Sequence, residues 1–241
     1  MSMGPPEVQT LDAELLGVLD RVDELCAELA TEYGKCAETK KVTERARNIF
    51  HDVLVKVRAA LDMVFHRIVL KYAPCLPACR ARTGRANFPI CDTEADFRTK
   101  LGRAGLGDLE AVAPALCASV RQAQPFATGR SDLIALRNLA NMGKHEKLAL
   151  QTCTSRPAKR VTSSRGTIIY TRGVSFLCKE IIGIPVNEET NQPREGKEWT
   201  HEDIEWVSFD VEGLPCVDPV VFCWSLSKAL RQHLSELCKL L

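Results

Sequence analysis

Most of the chain places an apolar residue every three or four positions, the period that turns one stripe of a helix toward a core. From Leu11 to about Lys35 the stripe is Leu15, Val18, Val22, Leu25, Leu29 and Tyr33, with Thr10 as the cap and Gly34 plus the polar AETKK stretch allowing a turn. A second helix is expected from Val42 to Ala73, stopped by Pro74, with Ala46, Phe50, Val53, Val57, Leu61, Val64 and Ile68 inward. Its second line, Leu54, Arg58, Asp62, Phe65 and Val69, sets two opposite charges four residues apart among apolar neighbours. A Pro- and Gly-rich loop over 74–92 holds Arg80, Arg82 and Arg85. Asp92 or Thr93 caps a short helix to about Arg103, and another runs from Asp108 to about Ala123 with a kink at Pro114. Ser131 then caps a helix that ends near Leu150.

After Leu150 the period changes. Residues 151–165 are polar and basic, while 167–171, 174–186 and 204–211 are β-branched and aromatic and read as strands around a polar loop at 187–199. Trp199 and Trp206 are expected to cover this sheet, and Trp224 to sit in the core. Asp218 caps a last helix with Pro219 at its first position, and Val220, Cys223, Ser227, Leu230, Leu234, Leu237 and Leu241 restore the helical stripe. The fold class is therefore mainly α (α+β): a bundle of four to five core helices with a small antiparallel β insertion before the C-terminal helix. The bundle takes 1–155, the insertion 156–215, and the returning helix 216–241.

Composition narrows the chemistry. The 241 residues suffice for a sizeable core, and 45% hydrophobic with 26% charged residues is ordinary for a globular chain. A net charge of +1 gives no long-range pull toward nucleic acid or membrane, so any RNA contact must be local. No apolar run approaches the roughly 20 residues that span a bilayer. The opening MSMGPPEVQT lacks a basic stretch followed by an apolar one. Eleven cysteines, scattered among apolar neighbours such as those of Cys26, Cys117, Cys178, Cys223 and Cys238, suit a reduced, cytoplasmic setting. Cys75 and Cys79 form the one close pair and find no second pair, so neither a metal site nor a cofactor is expected.

The candidate chemistry lies in Leu133–Leu150. At 100° per residue Arg137, Asn141 and Lys144 fall on one line, with Asn138 and His145 beside it and Leu133 and Leu148 closing its ends. Asp62 is the expected counter-charge for Lys144 or His145, with Arg58 and His66 in support. Two readings follow. In one, His145 moves a proton at a ribose 2′-hydroxyl while Arg137 and Lys144 hold the phosphate and Asn138 and Asn141 orient the group. In the other, the same residues form a satisfied network that fixes the register of two helices.

The helix NIFHDVLVKVRAALDMVFHRIVL resembles the LR-x-ALDHL helix of a widespread group of uncharacterised bacterial proteins. That group also carries an FPI segment before a short helix, matched by NFPICDTEADF. A helix ending in Asn-Ile-Asp-Lys-His follows, matched by Asn141-Met-Gly-Lys144-His145, and then strands and a final apolar-seamed helix. More distantly the order is similar to the HEPN superfamily of helical bundles. That likeness implies a homodimer, metal-independent ribonuclease activity in toxin–antitoxin or antiviral defence systems, and RNA or an antitoxin or other defence partner. The superfamily's usual signature is Arg, a polar residue, then His after four to six intervening residues. Here Arg137, followed by Asn138, has seven residues before His145, one more than that range, which on a helix turns His by about 100° relative to Arg.

Overall fold

The computed structural model describes residues 13–76, 87–145, 151–171, 180–181, 183–187, 189–190, 192–211 and 218–241. Helices α1 (Ala13–Thr39) and α2 (Glu44–Tyr72) pack along each other. All seven residues of the expected α2 stripe are buried, as are Leu54 and Phe65 of its second line. Burying each large apolar side chain contributes about 1.5–3 kcal/mol, so this stripe is the main reason α2 forms where it does. Thr43 caps α2 by accepting from the Ala46 N–H at 3.0 Å, and its own hydroxyl donates to Glu32 Oε1 at 2.8 Å. That tie accounts for a difference from expectation. α1 does not turn at Gly34 but continues to Thr39, keeping Cys36 in the core, and the chain reverses at Lys40 with φ 53°.

Thr93 caps α3 (Glu94–Arg103). The expected helix over 108–123 is two helices, α4 (Leu109–Val112) and α5 (Pro114–Gln122), broken at Ala113, with Pro114 opening the second. One turn, α6 (Pro125–Thr128), ends on Gly129 at φ 69° and leads into α7 (Ser131–His145). The C-terminal α8 (Pro219–Leu240) is capped by Asp218 Oδ1, which accepts from the N–H groups of Val220 and Val221. It packs on α1, α2 and α5, while α7 packs on α2. Between α1 and α8, Arg231 reaches Asp20 at 3.1 Å and Asp23 at 2.6 Å, and the Ser227 hydroxyl donates to Asp23. Trp224 is not in the core: it is 40% exposed, because α8 buries 222, 223, 226, 227, 230, 234, 237 and 238, and position 224 falls on the opposite side.

The β insertion contains an element that the polar pattern hid. Residues Gln151–Ser163 form β1, the central strand of a sheet in the order β2 (Gly166–Thr171), β1, β6 (Thr200–Val211), all antiparallel. β6 pairs along β1 from Gln151 to Thr162 and β2 adds a second neighbour from Ala158 to Ser163, so backbone pairing holds a strand with little apolar character of its own. Pro157, which has no N–H, stands one residue before Ala158, where the pairing with β2 ends opposite Thr171. β3 (Glu180–Ile181), β4 (Ile184–Asn187) and β5 (Gln192–Pro193) make a second small sheet. At one end of the β1–β6 pair Val211 joins the helical core, and the Tyr33 hydroxyl donates to Gln151 Oε1. Toward the other end Val161, Ile184 and Val186 are buried apart from the helical core.

Candidate functional site

Arg58, Asp62 and Arg137 of the expected polar centre meet the extended segment Phe88–Asp92. That segment is buried at Phe88, Pro89, Ile90 and Cys91 and lies in no sheet, so side chains must meet its backbone groups. Asp62 Oδ1 accepts from the Phe88 N–H at 2.7 Å, and Arg58 donates to the Phe88 carbonyl at 2.7 Å. The two side chains also pair with each other at 3.1 Å. Lys100 and Arg137 both donate to the Ile90 carbonyl, at 3.1 and 3.3 Å. Gln124, fully buried, accepts from the Cys91 N–H at 3.1 Å and donates to the Val120 carbonyl at 2.9 Å. Side chains from α2, α3, α7 and the α5–α6 junction therefore hold one strand-like segment in the bundle. Burial pushes the Cys91 thiol up to about 11, against the opposing Lys100 charge, so it stays neutral at physiological pH. The hydrogen bond from Lys100 holds the Asp96 carboxyl below its ordinary range.

Asp62 is thus engaged by Arg58 and Phe88, the side chains of its expected partners Lys144 and His145 lie outside the described residues, and His66 is exposed, with no contact to Asp62 among those described. Gln124 and Lys100 were not singled out from sequence. A glutamine directly before a proline at the end of an apolar helix was the one available signal for the first.

On α7 the buried positions and the polar positions separate. Leu133, Ala135, Leu136, Leu139 and Ala140 are buried, within a sector of about 160° at 100° per residue. The backbone positions of Arg137, Asn138, Asn141, Lys144 and His145 occupy roughly 120° centred almost opposite that sector, with half-buried Ile134 among them. Asn138 is exposed, and Arg137, at the sector's edge, pairs with Asp92 at 3.0 Å and donates to Asn138 Oδ1 at 3.3 Å. The side chains of Asn141, Lys144 and His145 lie outside what the structure describes, as do Leu148, Cys79 and the arginines at 80, 82 and 85. Seven residues, Asn138 to Lys144, separate Arg137 from His145.

Among the described residues no three His, Cys, Asp or Glu side chains are placed to share a metal, and no helix is long and apolar enough to cross a membrane. No protein-family model, no curated protein and no solved structure matches this chain, so what it does is argued from these residues.

Proposed function

We propose that the chain is a HEPN-like, metal-independent endoribonuclease of a toxin or antiviral defence system, acting from the outer face of α7. One observation carries this: Arg137, Asn138 and His145 occupy a single helix, at positions on the side opposite its buried residues. In this reading His145 takes the proton of a ribose 2′-hydroxyl, whose oxygen attacks the adjacent phosphorus. The 5′-oxygen leaves with a proton, giving a 2′,3′-cyclic phosphate and a 5′-hydroxyl end. Arg137 and Lys144 offset the charge that builds on the phosphate, and Asn138 and Asn141 orient the reacting groups. A second copy of the chain brings a second such face to the same RNA.

The alternative is a non-catalytic interaction bundle, favoured by the engagement of Arg137 with Ile90 and Asp92. Incubating single-stranded RNA with the protein in EDTA separates the two. The ribonuclease reading expects cleavage that His145→Ala abolishes with the melting temperature unchanged, whereas Arg137→Ala loses cleavage and also melts lower. RNA left intact by the wild-type protein, or cleavage that survives His145→Ala, hands the case to the interaction bundle.

A further inference from the structure

At the end of the sheet where Val161, Ile184 and Val186 are buried, a recess of about 360 Å³ opens between the β1–β6 pair and the β4–β5 hairpin. Its volume is within the range of small-ligand sites, roughly 300–1,000 Å³. Lys159, Arg194 and His201 line it, with Asn187 and Thr190 as neutral donors and acceptors and Glu195 as the one carboxylate. The register explains the convergence. Val161 stands opposite His201, and Lys159 lies two residues from Val161 on the same face, so a cation and an imidazole both point where β4 and β5 cover the strand pair.

Arg194 is held from both sides. Its N–H donates to the Pro185 carbonyl at 2.8 Å, and its carbonyl accepts from Trp199 Nε1 at 2.6 Å. The Trp199 ring lies over Gly196, where an added Cβ would come within 2.5 Å of the ring, so only glycine lets the loop close this tightly. No ion pair or side-chain hydrogen bond engages Lys159 or Arg194 among the described contacts. Asp203, across from Lys159 in the register, is exposed and not among the lining residues. By contrast Arg160, next in sequence, is paired with Glu202 at 3.2 Å. His201 contributes to the wall of the recess, with its Nε2 shut away from solvent.

We infer that this recess binds the phosphate of a small phosphorylated molecule of mononucleotide size, with Lys159 and Arg194 as counter-charges and Asn187 and Thr190 as neutral hydrogen-bonding groups. The site is separate from α7 and does not depend on the ribonuclease reading.

The test is calorimetric titration of the full chain with AMP, adenosine and inorganic phosphate. AMP and phosphate are expected to bind and adenosine not. Lys159→Ala and Arg194→Ala should each weaken AMP by at least about tenfold, as expected from losing one charged contact. Both side chains are accessible enough for the variants to keep the wild-type melting temperature. Glu195→Gln removes the opposing charge and should tighten AMP by about threefold. Competition with single-stranded RNA distinguishes the source of the phosphate: displacement of AMP by the RNA assigns the recess to a polynucleotide phosphate, and no displacement to a free monoester. Absence of AMP and phosphate binding, adenosine binding as well as AMP, or an unchanged affinity in both Lys159→Ala and Arg194→Ala overturns the inference.

Discussion

Gln124 shows how one side chain decides a local structure. Its amide meets a backbone N–H 33 residues earlier and a carbonyl of the preceding turn, and no solvent reaches it. Gln124→Met keeps the volume but leaves the Cys91 N–H buried and unpaired, at a cost of about 1–3 kcal/mol. For a chain of this size that lowers the melting temperature by roughly 2–4 °C per kcal/mol, read by thermal unfolding of the pure variant. A melting temperature equal to wild type would mean that water or another group reaches Cys91. Arg58 and Asp62 teach the same lesson. Their spacing predicted the pair, but their neighbours Leu54, Phe65 and Val69 did not reveal that the pair grips the backbone of Phe88.

At the scale of elements, the helices follow their caps and stripes closely. Asp218 caps as expected, Thr93 rather than Asp92 caps α3, and Thr43 caps a helix whose period suggests a start at Val42. Asp218 accepts from two N–H groups, so Asp218→Ala should cost about 1–2 kcal/mol, near the upper range for a lost cap. Urea unfolding measures this as a lower midpoint with an unchanged slope; an unchanged midpoint would show that α8 is held by packing alone. β1 was illegible for the opposite reason. Its residues carry no alternating apolar pattern, and it is held by β6 along most of its length and by β2 over Ala158–Ser163. The α7 polar positions share one side of the helix, as their period predicts, but periodicity places residues on a common face without saying what that face meets.

At the scale of the whole molecule, stability depends on protonation at the α8 surface. Burial lowers the pKa of His233, with Glu236 opposing and Arg130 assisting the shift. A histidine whose folded pKa lies below its unfolded value binds fewer protons when folded. Stability contributed by the neutral ring is therefore intact above about pH 6.5 and falls as pH drops from there through the lower folded pKa. Melting curves between pH 7.5 and pH 5 should show this loss in the wild-type protein and a smaller one in His233→Gln; parallel curves would assign the loss to other groups.

The sequence by itself determined that this is a helical bundle interrupted by a sheet, because apolar periodicity, caps and prolines act over a few residues and are written in order along the chain. It also placed Arg137, Asn138, Asn141, Lys144 and His145 on one side of a helix. Tertiary structure alone decided that this side faces away from the core, that Arg58, Asp62, Lys100, Gln124 and Arg137 converge on Phe88–Asp92, and that Lys159, Arg194 and His201 share a recess. Those arrangements join residues tens of positions apart. They exist because buried backbone groups and charges must find partners wherever the packed chain brings them together.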